Sequence, residues 1–111
     1  MIGDFNSNKI WDNKSRIANH TNVVNYLYSL NIHSLYHKQY KENHGVETKP
    51  TLFMHRKIDK PYHVDYCFAS ERLIRQGYVL NLGDYNDWLK LSDHMPVVVD
   101  IDLTNNMDAW V

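Results

Sequence analysis

The chain of 111 residues is long enough for one domain, and its 43% hydrophobic and 23% charged residues exclude an intrinsically disordered tail. A formal net charge of −1 excludes a surface that is basic throughout, so a bound phosphate would need a metal ion or local cations. The single cysteine, Cys67, excludes an internal disulfide and a zinc–thiolate cluster, and the lack of a long apolar run predicts no membrane span and, by default, a cytoplasmic location.

The first segment with a distinct pattern is Gly3-Asp4-Phe5-Asn6, which only Met1 and Ile2 precede. Glycine admits unusual backbone dihedral angles, and the side chains of Asp and Asn bond back to the chain in turns. Taken alone, this segment is typical of a junction between a strand and a turn.

The rest of the chain predicts one principal helix and several strands. Apolar residues recur at helical spacing from Val23 to Leu30, which predicts a helix over about residues 16–30 with Thr21 at its N-cap. Extended segments are predicted at residues 34–36, 51–55, 63–69, 77–82 and 97–103, and polar loops at residues 38–49 and 83–95. Successive strands with little helix between them predict an α/β domain whose strands are mainly antiparallel.

Asp65 is the acidic residue that packing explains least, because it lies within an otherwise apolar strand pattern. A buried carboxylate needs hydrogen bonds, a cation or another partner to offset the cost of desolvation. An imidazole is a natural partner, and His94 in the segment Ser92-Asp93-His94 is the candidate. That segment also fits a simple alternative, in which Ser92 or Asp93 caps a turn and His94 packs against its neighbours.

The three segments together resemble a known enzyme family. GDFN, then PYHVDYCFAS around Asp65, then SDHMPVVVDI are similar in order and content to motifs of the endonuclease/exonuclease/phosphatase superfamily, which contains deoxyribonuclease I-like and exonuclease III-like enzymes. The resemblance extends from Gly3 to about Leu103. It implies a two-sheet α/β sandwich with catalytic residues on loops at one end of the strands.

The resemblance also implies a role for each matched residue in phosphodiester hydrolysis. Asp4 would activate or orient the attacking water, and Asn6 would position that water and the phosphate. Asp65 would hold the imidazole of His94, which would donate to a phosphate oxygen. Asp93 would help to bind a divalent metal ion, Mg²⁺ or Mn²⁺.

Complete members of that superfamily carry an upstream half of comparable size with further metal and phosphate ligands. We therefore expect residues 1–111 to form the C-terminal half of such a domain, that is, half of the two-sheet sandwich. The isolated chain would be a weak or inactive hydrolase with millimolar affinity for magnesium. Its uncovered sheet face would favour a homo-oligomer. The alternative is a non-catalytic binding or interaction module that retains the fold.

The substrate class rests on a short basic run, in which Arg56, Lys57 and Lys60 lie close to the predicted strand that carries Asp65. These side chains would reach the phosphates of a polynucleotide, which favours nucleic acid among phosphoester substrates. The same run is also typical of a solvated loop.

A zinc site formed by His33, His37 and His44 is a further alternative. Two histidines four residues apart can face one metal ion on a helix, but helical periodicity has faded at this point of the chain and no carboxylate is evident to complete the set. We therefore expect these residues to be exposed loop histidines.

Overall fold

The computed structural model describes residues 1–13 and 19–102, which form seven short strands and four helices. The strands are β1 Ile2–Asp4, β2 Ile32–Ser34, β3 Leu52–Phe53, β4 Pro61–Tyr62, β5 Asp65–Ser70, β6 Tyr78–Leu82 and β7 Val97–Ile101. The helices are α1 His20–Ser29, α2 Leu35–Tyr40, α3 Glu71–Arg75 and α4 Tyr85–Trp88, with 3-10 turns at Lys9–Trp11 and Met54–Arg56. None of these helices is long and apolar enough to cross a membrane.

Every strand pairing in the described residues is antiparallel, and the strands form three small sheets. The first has the order β1-β5-β2, and β3 pairs with β4 and β6 with β7. The prediction of an α/β domain with antiparallel strands is confirmed. The predicted strand at residues 34–36 is wrong, because only Ser34 belongs to β2 and the next two residues open α2.

Helix α1 confirms the predicted principal helix, which ends within a residue of the expected position. Residues 16–18 of the predicted range lie outside the described residues. Thr21 is not the N-cap, because Asn19 precedes the helix in an extended conformation and its side chain accepts a 2.8 Å hydrogen bond from the amide of Asn22. The hydroxyl of Thr21 donates instead to the carboxylate of Asp12, so Asn19 caps the helix and Thr21 ties its first turn to the preceding segment.

Strand β5 lies at the centre of the core because its two faces pack against different elements. Tyr66 and Phe68 point toward α1 and pack with Leu27. Cys67 and Ala69 point the other way, toward a second cluster formed by α2 and β6. Asp65 begins this strand, so its carboxylate is held at the edge of the best-packed part of the molecule.

The sheet β6-β7 shows the alternation that its sequence predicts. Leu80 is buried and packs with the flanking apolar side chains of both strands. The opposite face is exposed and mixed, since it carries Val79, Asn81, Val98 and Asp100. This outer face is therefore apolar only in part.

Candidate active site

His94 and Asp65 lie 29 residues apart in sequence and form a direct hydrogen bond. The His94 Nδ1 atom is 2.9 Å from Asp65 Oδ2. The Asp65 side chain is 14% exposed and that of His94 35%, so the pair lies at the surface with the carboxylate on its inner side. The prediction that His94 is the partner of Asp65 is confirmed. Since an ionised carboxylate only accepts hydrogen bonds, this contact places a proton on Nδ1 and directs Nε2 away from Asp65.

Asp4 lies on the other side of the same imidazole. It ends β1 directly opposite Asp65 in the antiparallel register, and its Oδ2 atom is 3.8 Å from His94 Nε2. Two carboxylates facing each other across a strand pair repel, and an imidazole between them relieves that repulsion when it is protonated. The three side chains thus form one cluster, the Asp4–Asp65–His94 triad.

Thr51 links the segments that carry Asp65 and His94 through its backbone and side chain. Its hydroxyl oxygen accepts hydrogen bonds from the amides of Val64 and Asp65, at 2.9 and 3.0 Å. Its carbonyl accepts a 2.7 Å bond from the amide of Met95, next to His94. Thr51 is fully buried. This residue was not predicted, because nothing in the local sequence indicates which distant amides a buried hydroxyl will meet.

Asn6 and Asp93 lie next to the triad without joining it. The amide of Asn6 donates a 2.8 Å bond to Asp4 Oδ1, and Asn6 itself is exposed with a positive φ of 50°. Asp93 contributes a carbonyl that accepts from the amide of Phe53 at 2.8 Å. The potential ligand atoms of the triad lie within 4.8 Å of one another, and that set does not include Asp93 among the described residues.

The predicted substrate-binding residues Arg56, Lys57 and Lys60 are all exposed in the turn that joins β3 to β4. The guanidinium group of Arg56 is 3.5 Å from the carbonyl of Lys90. Within residues 1–13 and 19–102, no hydrogen bond or ion pair joins any of the three side chains to His94. Their role in substrate binding therefore stays a prediction.

The surroundings of His94 favour its protonated form. Partial burial lowers the pKa of His94, but the hydrogen bond to Asp65 and the negative charges of Asp65, Asp4 and Asp93 outweigh it, so the pKa is raised above its ordinary value of 6.5. An imidazolium at this position would be a hydrogen-bond donor on both ring nitrogens.

We expect NMR titration of the His94 ring protons to give a midpoint above 6.5, and Asp65→Asn to lower that midpoint. The reason is that asparagine keeps an oxygen acceptor near Nδ1 but removes the negative charge that stabilises the imidazolium. Asp100→Asn, on the outer face of β7, is the matched control and should leave the midpoint unchanged. Equal midpoints in the wild-type and Asp65→Asn chains would show that the pair is not electrostatically coupled.

Comparison of the chain with protein-family models, with curated proteins and with solved structures found no match. The resemblance of the three segments to the endonuclease/exonuclease/phosphatase superfamily therefore stays a prediction. The fold brings Asp4, Asp65 and His94 together from three remote parts of the chain.

Proposed function

We propose that this chain supplies one wall of a metal-dependent phosphoesterase site that hydrolyses phosphodiester bonds. The observation that carries the proposal is the position of the His94 imidazole between two carboxylates, 2.9 Å from Asp65 and 3.8 Å from Asp4. Simple packing needs neither acid at this position, and the directly opposed carboxylates are costly without a cation between them.

The chemistry of phosphodiester hydrolysis explains why these residue types would be gathered. The reaction brings an anionic nucleophile to an anionic phosphorus centre, so the site must supply a base and donors for the phosphoryl oxygens. Asp65 fixes the ring of His94, and the outward Nε2–H of the imidazolium would donate to a phosphoryl oxygen. The exposed carboxylate of Asp4 would orient the attacking water and accept its proton. Asn6, held beside Asp4, would help to position the phosphate.

The donor set fits a hard divalent cation only in part. Asp4 offers an exposed carboxylate, whereas Asp65 uses Oδ2 for His94, and imidazole nitrogen is not the ligand that magnesium prefers. Asp4, with Asp93 nearby, would hold Mg²⁺ or Mn²⁺. When bound, the ion would neutralise charge on the phosphate and acidify the attacking water. Because few oxygen ligands are free, we propose millimolar affinity, which isothermal titration would measure.

Nucleic acid is the substrate class that we favour. Arg56, Lys57 and Lys60 form an exposed basic loop, and such loops position polynucleotides through their phosphates. We also propose self-association, to which the half-exposed Val79 and Val98 on the outer face of β6-β7 would contribute. The mass of the particle in light scattering tests this second point.

The shortage of free metal ligands favours one alternative function, a non-catalytic binding module that retains the fold. In that case the Asp4–Asp65–His94 triad would be a structural ion-pair cluster. Activity measurements separate the two functions, because a non-catalytic binding module would not hydrolyse a phosphodiester with or without the site variants.

The decisive test measures hydrolysis of a generic phosphodiester by the longest polypeptide that carries this chain, with magnesium and with manganese. We expect Asp4→Asn and His94→Ala each to lower the rate by roughly 100-fold or more, because each removes a group that acts on the reacting atoms. Asp100→Asn replaces an exposed carboxylate of another sheet and should leave the rate unchanged. Activity that survives both site variants would overturn the proposal.

A further inference from the structure

A second group of titratable side chains lies beneath the surface, apart from the Asp4–Asp65–His94 triad. Four histidines and one glutamate from remote segments meet there: His20, His37, His44, His63 and Glu47. The rings of His37 and His44 are stacked, nearly parallel with centroids 3.5 Å apart, and the other two rings pack against this pair at steeper angles. So dense a collection of imidazoles around a carboxylate is unusual for a core, since histidine is only moderately common in protein interiors.

Three members of this group have the geometry of metal ligands. The ring and carboxylate atoms of His37, His44 and Glu47 that can bind a cation lie within 4.8 Å of one another. His37 Nε2 is 2.6 Å from Glu47 Oε2, and the two side chains are only 8% and 4% exposed. Ligand atoms around one tetrahedral zinc ion are about 3.3 Å apart, so shifts of about 1–2 Å or less would place an ion among the three.

We propose that His37, His44 and Glu47 form a binding site for a divalent transition-metal ion, with zinc as the best match. Two imidazole nitrogens and one carboxylate oxygen form a donor set that zinc accepts readily. Magnesium and calcium prefer sets made of oxygen alone, so the same site discriminates against them. The site shares no residue with the Asp4–Asp65–His94 triad, and its test is independent of the proposed phosphoesterase activity.

The atoms of His37 and Glu47 that face away from the ion are already held by partners. His37 Nδ1 lies 2.6 Å from the hydroxyl of Ser34, which can accept from Nδ1–H when a metal ion replaces the proton that Nε2 shares with Glu47. Glu47 Oε1 accepts from the side-chain amide of Asn8 and from the amide of Gly45, each at 3.1 Å. Outer partners of this kind orient metal ligands and fix their tautomers.

His44 is oriented by a relay of two further side chains. Its Nδ1 atom is 2.9 Å from His20 Nε2, and His20 Nδ1 is 2.8 Å from the hydroxyl of Ser7. This arrangement leaves His44 Nε2 available as a ligand.

His63 gives an independent indication that the cluster lacks a positive partner. Its Nδ1 atom lies 2.8 Å from the carbonyl of Lys49, which only accepts, so Nδ1 carries the proton. Its Nε2 atom is buried without a hydrogen-bond partner within the described residues, although the residue is only 4% exposed. The ring centroid is 5.7 Å from that of His37. A buried nitrogen without a partner, on a ring that packs against His37, is the type of group that a nearby cation would stabilise.

Two of the three ligands, His37 and His44, can be reached from one surface cavity, whereas Glu47 lines a different one. His37 and His44 line a cavity of about 280 Å³ on the surface, together with Ile32 and Phe68. This cavity is large enough for a hydrated ion to enter and for a water molecule to occupy a fourth coordination position. Three protein ligands and an open position are the pattern of zinc sites that exchange or activate a ligand.

The structure corrects the histidine set predicted from sequence. His37 is buried and His44 half-buried, so the expectation of exposed loop histidines is wrong for both. A carboxylate does complete the set, because residues 41–47 fold back and bring Glu47 to His37. His33 packs edge-on against Tyr28 and is not one of the three ligands.

The test titrates zinc into the chain by isothermal calorimetry at pH 7.5 and records the visible spectrum of the cobalt-substituted chain. We expect one zinc ion per chain with micromolar or tighter affinity, a cobalt band typical of four-coordinate geometry, and no competition from millimolar magnesium. Zinc should shift the NMR ring signals of His37 and His44. His44→Gln and Glu47→Gln should each weaken zinc binding by roughly 100-fold, because each removes a ligand.

Two controls separate this site from its neighbours. His33→Ala, within the same cavity wall, and His94→Ala, in the Asp4–Asp65–His94 triad, should both bind zinc as the wild-type chain does. The proposal is overturned if zinc does not saturate at about 100 µM, or if only His94→Ala weakens binding. Should His44→Gln fail to fold, the wild-type cobalt spectrum and the ring shifts decide the question without it.

Discussion

Thr51→Val is expected to lower the free energy of unfolding by about 3 kcal/mol, since it leaves two buried amides without an acceptor. The Thr51 hydroxyl oxygen accepts from the amides of Val64 and Asp65, and the residue has no exposed surface through which water could replace it. Valine has the shape of threonine, so the change removes hydrogen bonds and leaves packing almost intact. Urea unfolding followed by circular dichroism measures the difference.

Thr51→Ser is the matched control, because serine retains the hydroxyl and loses only a methyl group. We expect it to cost about 1 kcal/mol. In the Val variant the amide of Asp65 is also released, so the carboxylate that orients His94 should lose its fixed position and the titration midpoint of His94 should fall. If Thr51→Val were as stable as Thr51→Ser, the hydroxyl would not be the element that joins the two segments.

Helix α1 could be predicted because its own residues carry a helical pattern that does not depend on the rest of the fold. Apolar residues from Val23 to Leu30 repeat with the period of a helix, whatever surrounds them. Its first residue could not be fixed in the same way. Asn19 and Thr21 are both good capping residues, and the structure selects Asn19 because the side chain of Asp12 reaches the Thr21 hydroxyl from outside the helix.

The extended segments predicted at residues 63–69, 77–82 and 97–103 correspond to β5, β6 and β7. Short apolar runs were not resolved by periodicity, because a buried helical turn and a buried strand look alike in sequence. Leu35 and Tyr36 form the start of α2 for a tertiary reason. Tyr36 packs against Leu80, and its hydroxyl bonds with Glu42 on the loop that follows.

The same distinction separates what could be predicted of the two sites. Asp65 could be predicted as a site residue because a buried carboxylate in an apolar strand needs a partner to offset its desolvation. The approach of Glu47 to His37 has no such local sign, since both residues lie in polar segments of ordinary composition. Only the path of the chain after α2 brings them to 2.6 Å.

We expect acid to destabilise the fold well before most carboxylates are protonated, because the buried histidines must then take up protons. Burial, first of all, lowers the pKa of His20, His44 and His63, and that of His44 to about 3. When the pKa of a group is lower in the folded chain than in the unfolded chain, its contribution to stability is fully present above the unfolded-state pKa, here 6.5. That contribution is lost as the pH falls toward the folded-state pKa. Burial opposes ionisation of Glu47, but hydrogen bonds from His37, Asn8 and Gly45 outweigh burial and lower its pKa to about 2. Protonation of Glu47 therefore lowers the free energy of unfolding further below pH 4.5.

The size and sign of this effect make it measurable by thermal unfolding between pH 7 and pH 4. After a discount for solvent screening of the half-buried ring, His44 alone should lower the free energy of unfolding by about 2 kcal/mol. The midpoint of thermal unfolding should then fall by roughly 10 °C. His94 acts in the opposite sense. Because its pKa is raised, its contribution to stability is fully present below pH 6.5 and is lost as the pH rises, so it cannot cause acid sensitivity.

His44→Gln removes one titrating ring and should reduce the change of the unfolding midpoint with pH, whereas His33→Ala should not. A midpoint that is constant from pH 7 to pH 5 would mean that the histidines bind protons equally readily in the folded and the unfolded chain, which would contradict their lowered pKa values.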